Sequence, residues 1–230
     1  MKYCGREIKF KRHREIPGTV KTGSFSEDAM GHWYVNFVVE MPTIETKHEV
    51  EDVGGDLGLK DALVLSDGSR IENPRIYAKN EAKLSGFQRH GKRKQARRLA
   101  ARIKNIRKDF IHKKTLAIVK KFRTIFIGDV SGKFLQSSNG KSSADASTGS
   151  VRSILSYKAV RHQGRVVDVS ERSIASTVTC SCCFVRSGPS GLSDLRVREW
   201  ICSACGTVFD RDVNAAQNHL RVGRDSLRSA

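Results

Sequence analysis

Four of the six cysteines fall in two Cys-x-x-Cys pairs, Cys180/Cys183 and Cys202/Cys205, with 18 residues between the pairs. Two tight thiolate turns at this gap present four soft donors to one tetrahedral ion, which is the pattern of a zinc ribbon. Four protein ligands close the coordination sphere, so the zinc expected here is structural. Cys182 points away as a spare thiol, and Cys4 stands alone. Buried, unligated cysteines are the plainer alternative, but they explain neither the pairing nor the gap.

The carboxylates are less telling singly. Asp56 ends the stretch "DVGGD", where a strand reaches a glycine-rich bend. Asp212 opens a helix in "DRDVNAAQNHL", a place where aspartate is also an ordinary N-terminal cap. A buried strand over 124–130 ends in Gly128 and Asp129. Side chains alternate along a strand, so Asp129 is expected to face away from the side that Gly128 faces, unless Gly128 forms a bulge.

The elements that must position these groups can be read from pattern. Residues 1–42 alternate and turn, with Pro17-Gly18 as a turn signal and a strand over 33–39. Two apolar strands flank the bend in "DVGGDLGLKDALVLSDGSRI", Asp67-Gly68 makes a hairpin turn, and a third strand is expected over 70–76. From about 80 to 122 the period turns helical, with Leu99, Ile103, Ile106 and Phe110 as its apolar stripe and Gly86 and Gly91 as possible breaks. Residues 136–150 are Ser/Gly-rich and read as a loop. Helices over 151–164 and 210–220 enclose a strand over 165–171 and the cysteine pairs. Strands alternating with helices in this order give an α/β fold.

Charge adds a partner. The chain of 230 residues carries a net charge of +18. Residues 89–121 hold 14 Lys and Arg against Asp109 alone, and residues 1–21 hold 7 basic residues against Glu7 and Glu15. Everything else balances. A basic excess confined to two stretches is the footprint of a polyanion, and a helix bearing Arg93, Lys94, Arg97, Arg98, Arg102, Lys104 and Arg107 is long enough to follow several phosphates. A solvated lysine-rich helix is the bland alternative. No run of ~18 apolar residues offers a membrane span, and the N-terminus has no signal-peptide apolar region. A cytoplasmic, nucleic-acid-associated protein is expected.

The bend at Asp56, the basic helix, and "GLSDLRVREWICSACGTVFDRDVNAA" together resemble the OrfB/TnpB proteins of bacterial insertion sequences, relatives of the type V CRISPR effectors. The resemblance covers about residues 1–225. It implies an α/β fold with a RuvC-like, ribonuclease H-like mixed sheet over 46–175 and 207–230. That sheet would carry the basic helical insertion at 80–122 and the zinc ribbon at 176–206, preceded by a partial wedge-type β-barrel over 1–45. The implied activity is magnesium-dependent DNA cleavage guided by an RNA, with Asp56 and Asp212 as the first and third catalytic acids. The second acid of the family ends the fourth strand, where this chain has Gly128. Glu171, at the end of "RVVDVSE" on the neighbouring strand, is the expected replacement. Asp129 and Asp145 are the other candidates, and a site without a second acid would leave a nucleic-acid-binding protein that does not cut. The family carries further N-terminal sequence, so a separately encoded N-terminal half is a possible partner beside guide RNA and DNA.

Overall fold

The computed structural model describes residues 2–129, 145–170, 174–190 and 193–229. Its centre is a five-stranded sheet of β5 (Val50–Asp56), β6 (Asp61–Leu65), β7 (Arg70–Glu72), β8 (Phe122–Gly128) and β9 (Arg165–Val169), in the order β7-β6-β5-β8-β9. Strands β5, β8 and β9 run parallel, while β6 is antiparallel to both of its neighbours. A hairpin joins β5 to β6 across the bend after Asp56, and the Asp67-Gly68 turn joins β6 to β7. Gly68 takes a φ of 84° there, a left-handed conformation open to glycine without a Cβ clash.

Alternation along β8 sorts the core into two layers. Ile125 and Ile127 pack with Val53, Leu63 and Leu65 beneath two helices, α2 (Arg93–Lys121) and α3 (Thr148–Arg161), through Ile111, Val119, Val151 and Leu155. Phe126 faces the other way, with Val169, Leu220 and Val222, beneath α4 (Arg211–Arg228). Sheet and helices therefore form three layers.

The helical stretch begins earlier than its periodicity suggests. β7 stops at Glu72, before Pro74 and short of the expected 76, and α1 (Ile76–Arg89) starts ahead of the expected 80. The break before α2 falls at Gly91, and Gly86 lies inside α1. The stripe on α2 also differs. Ile103, Ile111, Thr115, Ile118 and Val119 are buried, whereas Ile106 is 44% exposed. The stripe legible in the sequence lies in the amino half of α2, but the helix docks on the sheet with its carboxyl half, where the threonine interrupts the apolar pattern. Thr115 satisfies its hydroxyl on the Ile111 carbonyl at 2.7 Å.

Ahead of the sheet stand two ribbons, β1 (Lys2–Tyr3) with β2 (Arg6–Glu7), and β3 (Thr19–Glu27) with β4 (Trp33–Glu40). The connection to β5 is fastened to the far ends of α2 and α3. Ile44 and Glu49 donate their amides to the Arg161 and Lys121 carbonyls, Thr46 Oγ1 bonds His162 Nδ1 at 2.9 Å, and His48 Nε2 lies 3.0 Å from the His162 carbonyl.

Burial, with Lys120, Arg161, His48 and Lys158 around it, lowers the proton affinity of the His162 ring. The folded state thus binds fewer protons than the unfolded chain, in which histidine titrates near ~6.5. The stability gained from a neutral His162 is complete above that value and is lost as pH falls below it. Urea denaturation should show stability declining from pH 7 to pH 5, and His162→Gln should flatten the decline.

Candidate functional site

The four cysteines converge. Their sulfurs all lie within 4.8 Å of one another, and among the described residues this is the one group of three or more His, Cys, Asp or Glu that could hold a metal ion. Cys180 and Cys205 Sγ are 3.7 Å apart, and Cys183 and Cys202 Sγ 3.5 Å. The two turns repeat each other. Phe184 N donates to the Cys180 carbonyl and Gly206 N to the Cys202 carbonyl, and both donors sit in the left-handed region, at φ 66° and 70°. Four thiol donors in two matching turns suit a tetrahedral zinc ion. Cys182 is exposed, as is Cys4. The Ser187 hydroxyl donates to Cys202 Sγ at 3.1 Å and, first among the causes, lowers that thiol to about 6, which favours the ligating thiolate.

The ribbon has structure beyond its turns. β10 (Glu199–Ile201) pairs with β11 (Val208–Asp210), and Trp200 stacks on Phe209 against Cys180 and Cys202. The motif after it binds the ribbon to α4. Asn214 and Asn218 each donate to the Ser176 and Thr179 carbonyls, and Asn214 Oδ1 accepts the Ser181 amide. Gln217 bonds the Ser181 hydroxyl at 2.7 Å, and the Arg221 guanidinium lies 4.0 Å over the Phe184 ring.

Helix α4 then crosses the sheet in a fixed sense. Arg224 Nε bonds Asp52 at 2.8 Å, Gly223 sits against Phe126, Ala216 against Gly54, and the His219 ring bonds the Gly55 carbonyl at 2.9 Å. Moving toward the helix N-terminus is therefore moving toward the end of β5. Asp212, one turn before Ala216, and Asp56, two residues past Gly54, lie at the same edge. The parallel strands β8 and β9 end there too, with Gly128 opposite Val169.

Asp212 is not the helix cap. Asp210 is, accepting the Asp212 and Val213 amides at 3.0 Å each. Burial opposes ionisation of Asp210, yet the Val213 amide and Arg70 outweigh it and hold the carboxyl below its usual range. Arg70 forks between Asp210, at 2.7 Å, and Asp61, at 3.0 Å. Asp212 is thereby left with Arg198, whose Nη1 stands 3.3 Å from Oδ2 and 3.5 Å from Oδ1. Sequence reasoning alone singles out neither Arg198 nor Arg70. The clue for Arg198 is the ribbon hairpin, whose Glu199–Asp210 pairing sets residue 198 beside the start of α4.

The remaining candidates separate. Asp129 is exposed, its amide held by the Val169 carbonyl at 2.9 Å. Asp145 is buried and already engaged. It accepts the Tyr77 and Ala78 amides at 2.8 and 3.0 Å, supplying the acceptors that the start of α1 lacks locally, so it does not serve the acid edge. Glu171 lies outside the described residues. On α2, the side chains of Arg93, Lys94, Arg97, Arg98, Arg102 and Lys104 are exposed and that of Arg107 is half-buried.

Comparison with known families defines the class. Residues 149–219 match the family described as "Cas12f1-like, TNB domain", and residues 36–136 match OrfB_IS605, described as "Probable transposase". The chain is a relative of the OrfB/TnpB proteins. A Streptomyces pristinaespiralis protein provisionally named RNA-guided DNA endonuclease is 35% identical over 94% of this chain and 56% of its own length. InsQ of Escherichia coli (strain K12), provisionally named in the same way, is 28% identical over 96% of this chain and 61% of its own. The chain thus spans a little over half the length of these relatives. A solved Cas12f1–sgRNA–target DNA complex gives a TM-score of 0.55 at 16% identity, covering 84% of this chain and 54% of that one, a likeness of fold.

Proposed function

We propose that this chain forms the nuclease-bearing part of a TnpB-type, RNA-guided DNA endonuclease, with a RuvC-like sheet, a zinc ribbon inserted before its last helix, and β1–β4 as part of a wedge-type barrel. The observation that supports this reading is the close passage of α4 over β5, with Ala216 against Gly54 and His219 on the Gly55 carbonyl, which puts the start of α4, with Asp212, toward the end of β5 that carries Asp56. Asp56 and Asp212 are oxygen donors, as magnesium requires, and Glu171, following the end of β9, is the acid assigned to complete the set. Bound magnesium would supply an activated water and stabilise the leaving oxygen. The chain's own part is to fix the acids, with Arg198 neutralising Asp212 beside the reacting phosphate.

The basic face of α2 would hold the nucleic acid. Replacing Arg97, Arg98, Arg102 and Lys104 by Gln is expected to weaken duplex binding with little sequence dependence, and to flatten the salt slope by about 0.9 for each phosphate that is no longer neutralised. An unchanged slope would place the nucleic acid elsewhere on the surface.

Asp56→Ala, Asp212→Ala and Glu171→Gln should each abolish magnesium-dependent cleavage while leaving DNA affinity and zinc content intact, and Asp129→Ala should leave cleavage unchanged. Activity surviving Glu171→Gln would sink the relocated acid. One observation favours a second reading, a binder of the same fold that does not cut: β8 ends in Gly128, which offers no carboxylate. In that case no condition yields cleavage, and Gly128→Glu is the variant that would restore it.

A further inference from the structure

We infer that Arg198, carried by the zinc ribbon, is a gate on the acid edge: it holds the Asp212 carboxylate and competes for it with the divalent cation that the edge is proposed to bind. The inference rests on the proposed nuclease reading and adds a control to it.

The acids along α4 are not held alike. Asp210 accepts two backbone amides at 3.0 Å each and Arg70 at 2.7 Å, and Asp52 is tied to Arg224 at 2.8 Å. The two arginine contacts have the length of fully formed charge-assisted hydrogen bonds. Asp212 is paired differently. A single nitrogen, Arg198 Nη1, stands 3.3 Å from one carboxylate oxygen and 3.5 Å from the other. The pair is loose, and the nitrogen is nearly equidistant from the two oxygens. It acts on Asp212 as a point charge, not as the two-nitrogen fork by which arginine usually grips a carboxylate.

The backbone of Arg198 is fixed while its head is not. Its carbonyl accepts the Arg211 amide at 2.7 Å, Glu199 pairs with Asp210, and Trp200 packs against Cys180 and Cys202. From this anchored root the side chain reaches out to Asp212. It is 43% exposed, so solvent is open to the guanidinium when it lets go. The Asp212 side chain is only 18% exposed, which leaves little room for a second cation beside the arginine. Magnesium takes its oxygen ligands at about 2.0 to 2.1 Å, and two positive charges on one carboxylate repel each other at such range. Arg198 therefore sets a threshold. It neutralises Asp212 at low cation concentration and swings into solvent above it.

The test reads ion binding and needs no cleavage. Manganese is the probe, because it takes the oxygen ligands that suit magnesium and competes poorly for thiolates. The full chain, loaded with zinc, is titrated with manganese, and the free ion is counted by electron paramagnetic resonance. Arg198→Gln should tighten manganese binding by roughly fivefold, the upper end for one partly exposed ion pair, with zinc content unchanged. Arg198→Lys should bind like the parent, since a point charge is all the contact uses. Asp212→Asn should bind weakly whether residue 198 is Arg or Gln. Manganese binding that Arg198→Gln leaves unchanged or weakens would overturn the gate, as would Arg198→Lys behaving like Arg198→Gln. If binding is lost in Asp212→Asn yet indifferent to residue 198, the gate falls and the nuclease reading stands. If the parent and Arg198→Gln both bind no manganese, the acid edge and its gate fall together.

Discussion

Gly54→Ala will destabilise the protein by at least about 3 kcal/mol, more than ordinary overpacking costs. A Cβ at Gly54 would stand 1.9 Å from the Ala216 carbonyl oxygen and 2.8 Å from the Leu220 amide nitrogen. Both obstacles are backbone, so no rotamer change relieves them, and α4 would have to leave the sheet. Gly223→Ala makes the matched comparison. There the added carbon meets the Phe126 ring at 2.1 Å, a side chain that can yield in part, so its effect should be smaller. Urea denaturation of the two variants gives the order. If Gly54→Ala is as stable as the parent, the close approach of α4 to β5 is wrong, and with it the edge that unites Asp56 and Asp212.

Removing zinc should dismantle the ribbon and leave the sheet standing. Structural zinc sites contribute on the order of 10 kcal/mol to the fold they close. The ribbon's own apolar cluster is small, consisting of Trp200, Cys180 and Cys202, with Cys183 and Phe209 partly buried around it. Purified protein is expected to carry one zinc per chain, and Cys202→Ser or chelation to release it. Trp200 emission should shift to the red as its cover is lost. Asn214 and Asn218 would lose the acceptors they share on Ser176 and Thr179, and Arg198 its hold near Asp212. Protein purified without zinc yet showing a buried Trp200 would remove the metal from the account.

What is legible in the sequence is whatever is written in local spacing. The bend at Asp56, the Asp67-Gly68 turn and the buried run of β8 each announce themselves within a dozen residues, and the two cysteine pairs by their spacing. Tertiary partners do not. Asp145 looks like a loop acid with a weak claim on the metal, and its bond to the start of α1 joins residues 67 and 68 positions apart. Ile106 looks apolar and therefore buried, but only the place where α2 meets the sheet decides which turns of a long helix are covered. Asp212 matches a cap by type. The cap is Asp210, two residues earlier, because β11 ends there and hands the chain straight into the helix. Arg70 and Arg198 give no local signal at all, since each acquires its meaning from an aspartate across a strand or hairpin.

The passage of α4 across Gly54 also sets an order of events during synthesis. The face of the sheet that bears Phe126 and Val169 is covered by Leu220 and Val222, from the last helix of the described chain. Strand β8 ends at Gly128 and α4 at Arg228, so a ribosome adding about 5 to 20 residues per second leaves this apolar face bare for roughly 5 to 20 s. Both cysteine turns precede that helix in the chain and so emerge ahead of it. A chain released before residue 211 would therefore hold both cysteine turns and a sheet covered on one face only, and it would be a ready client for chaperones.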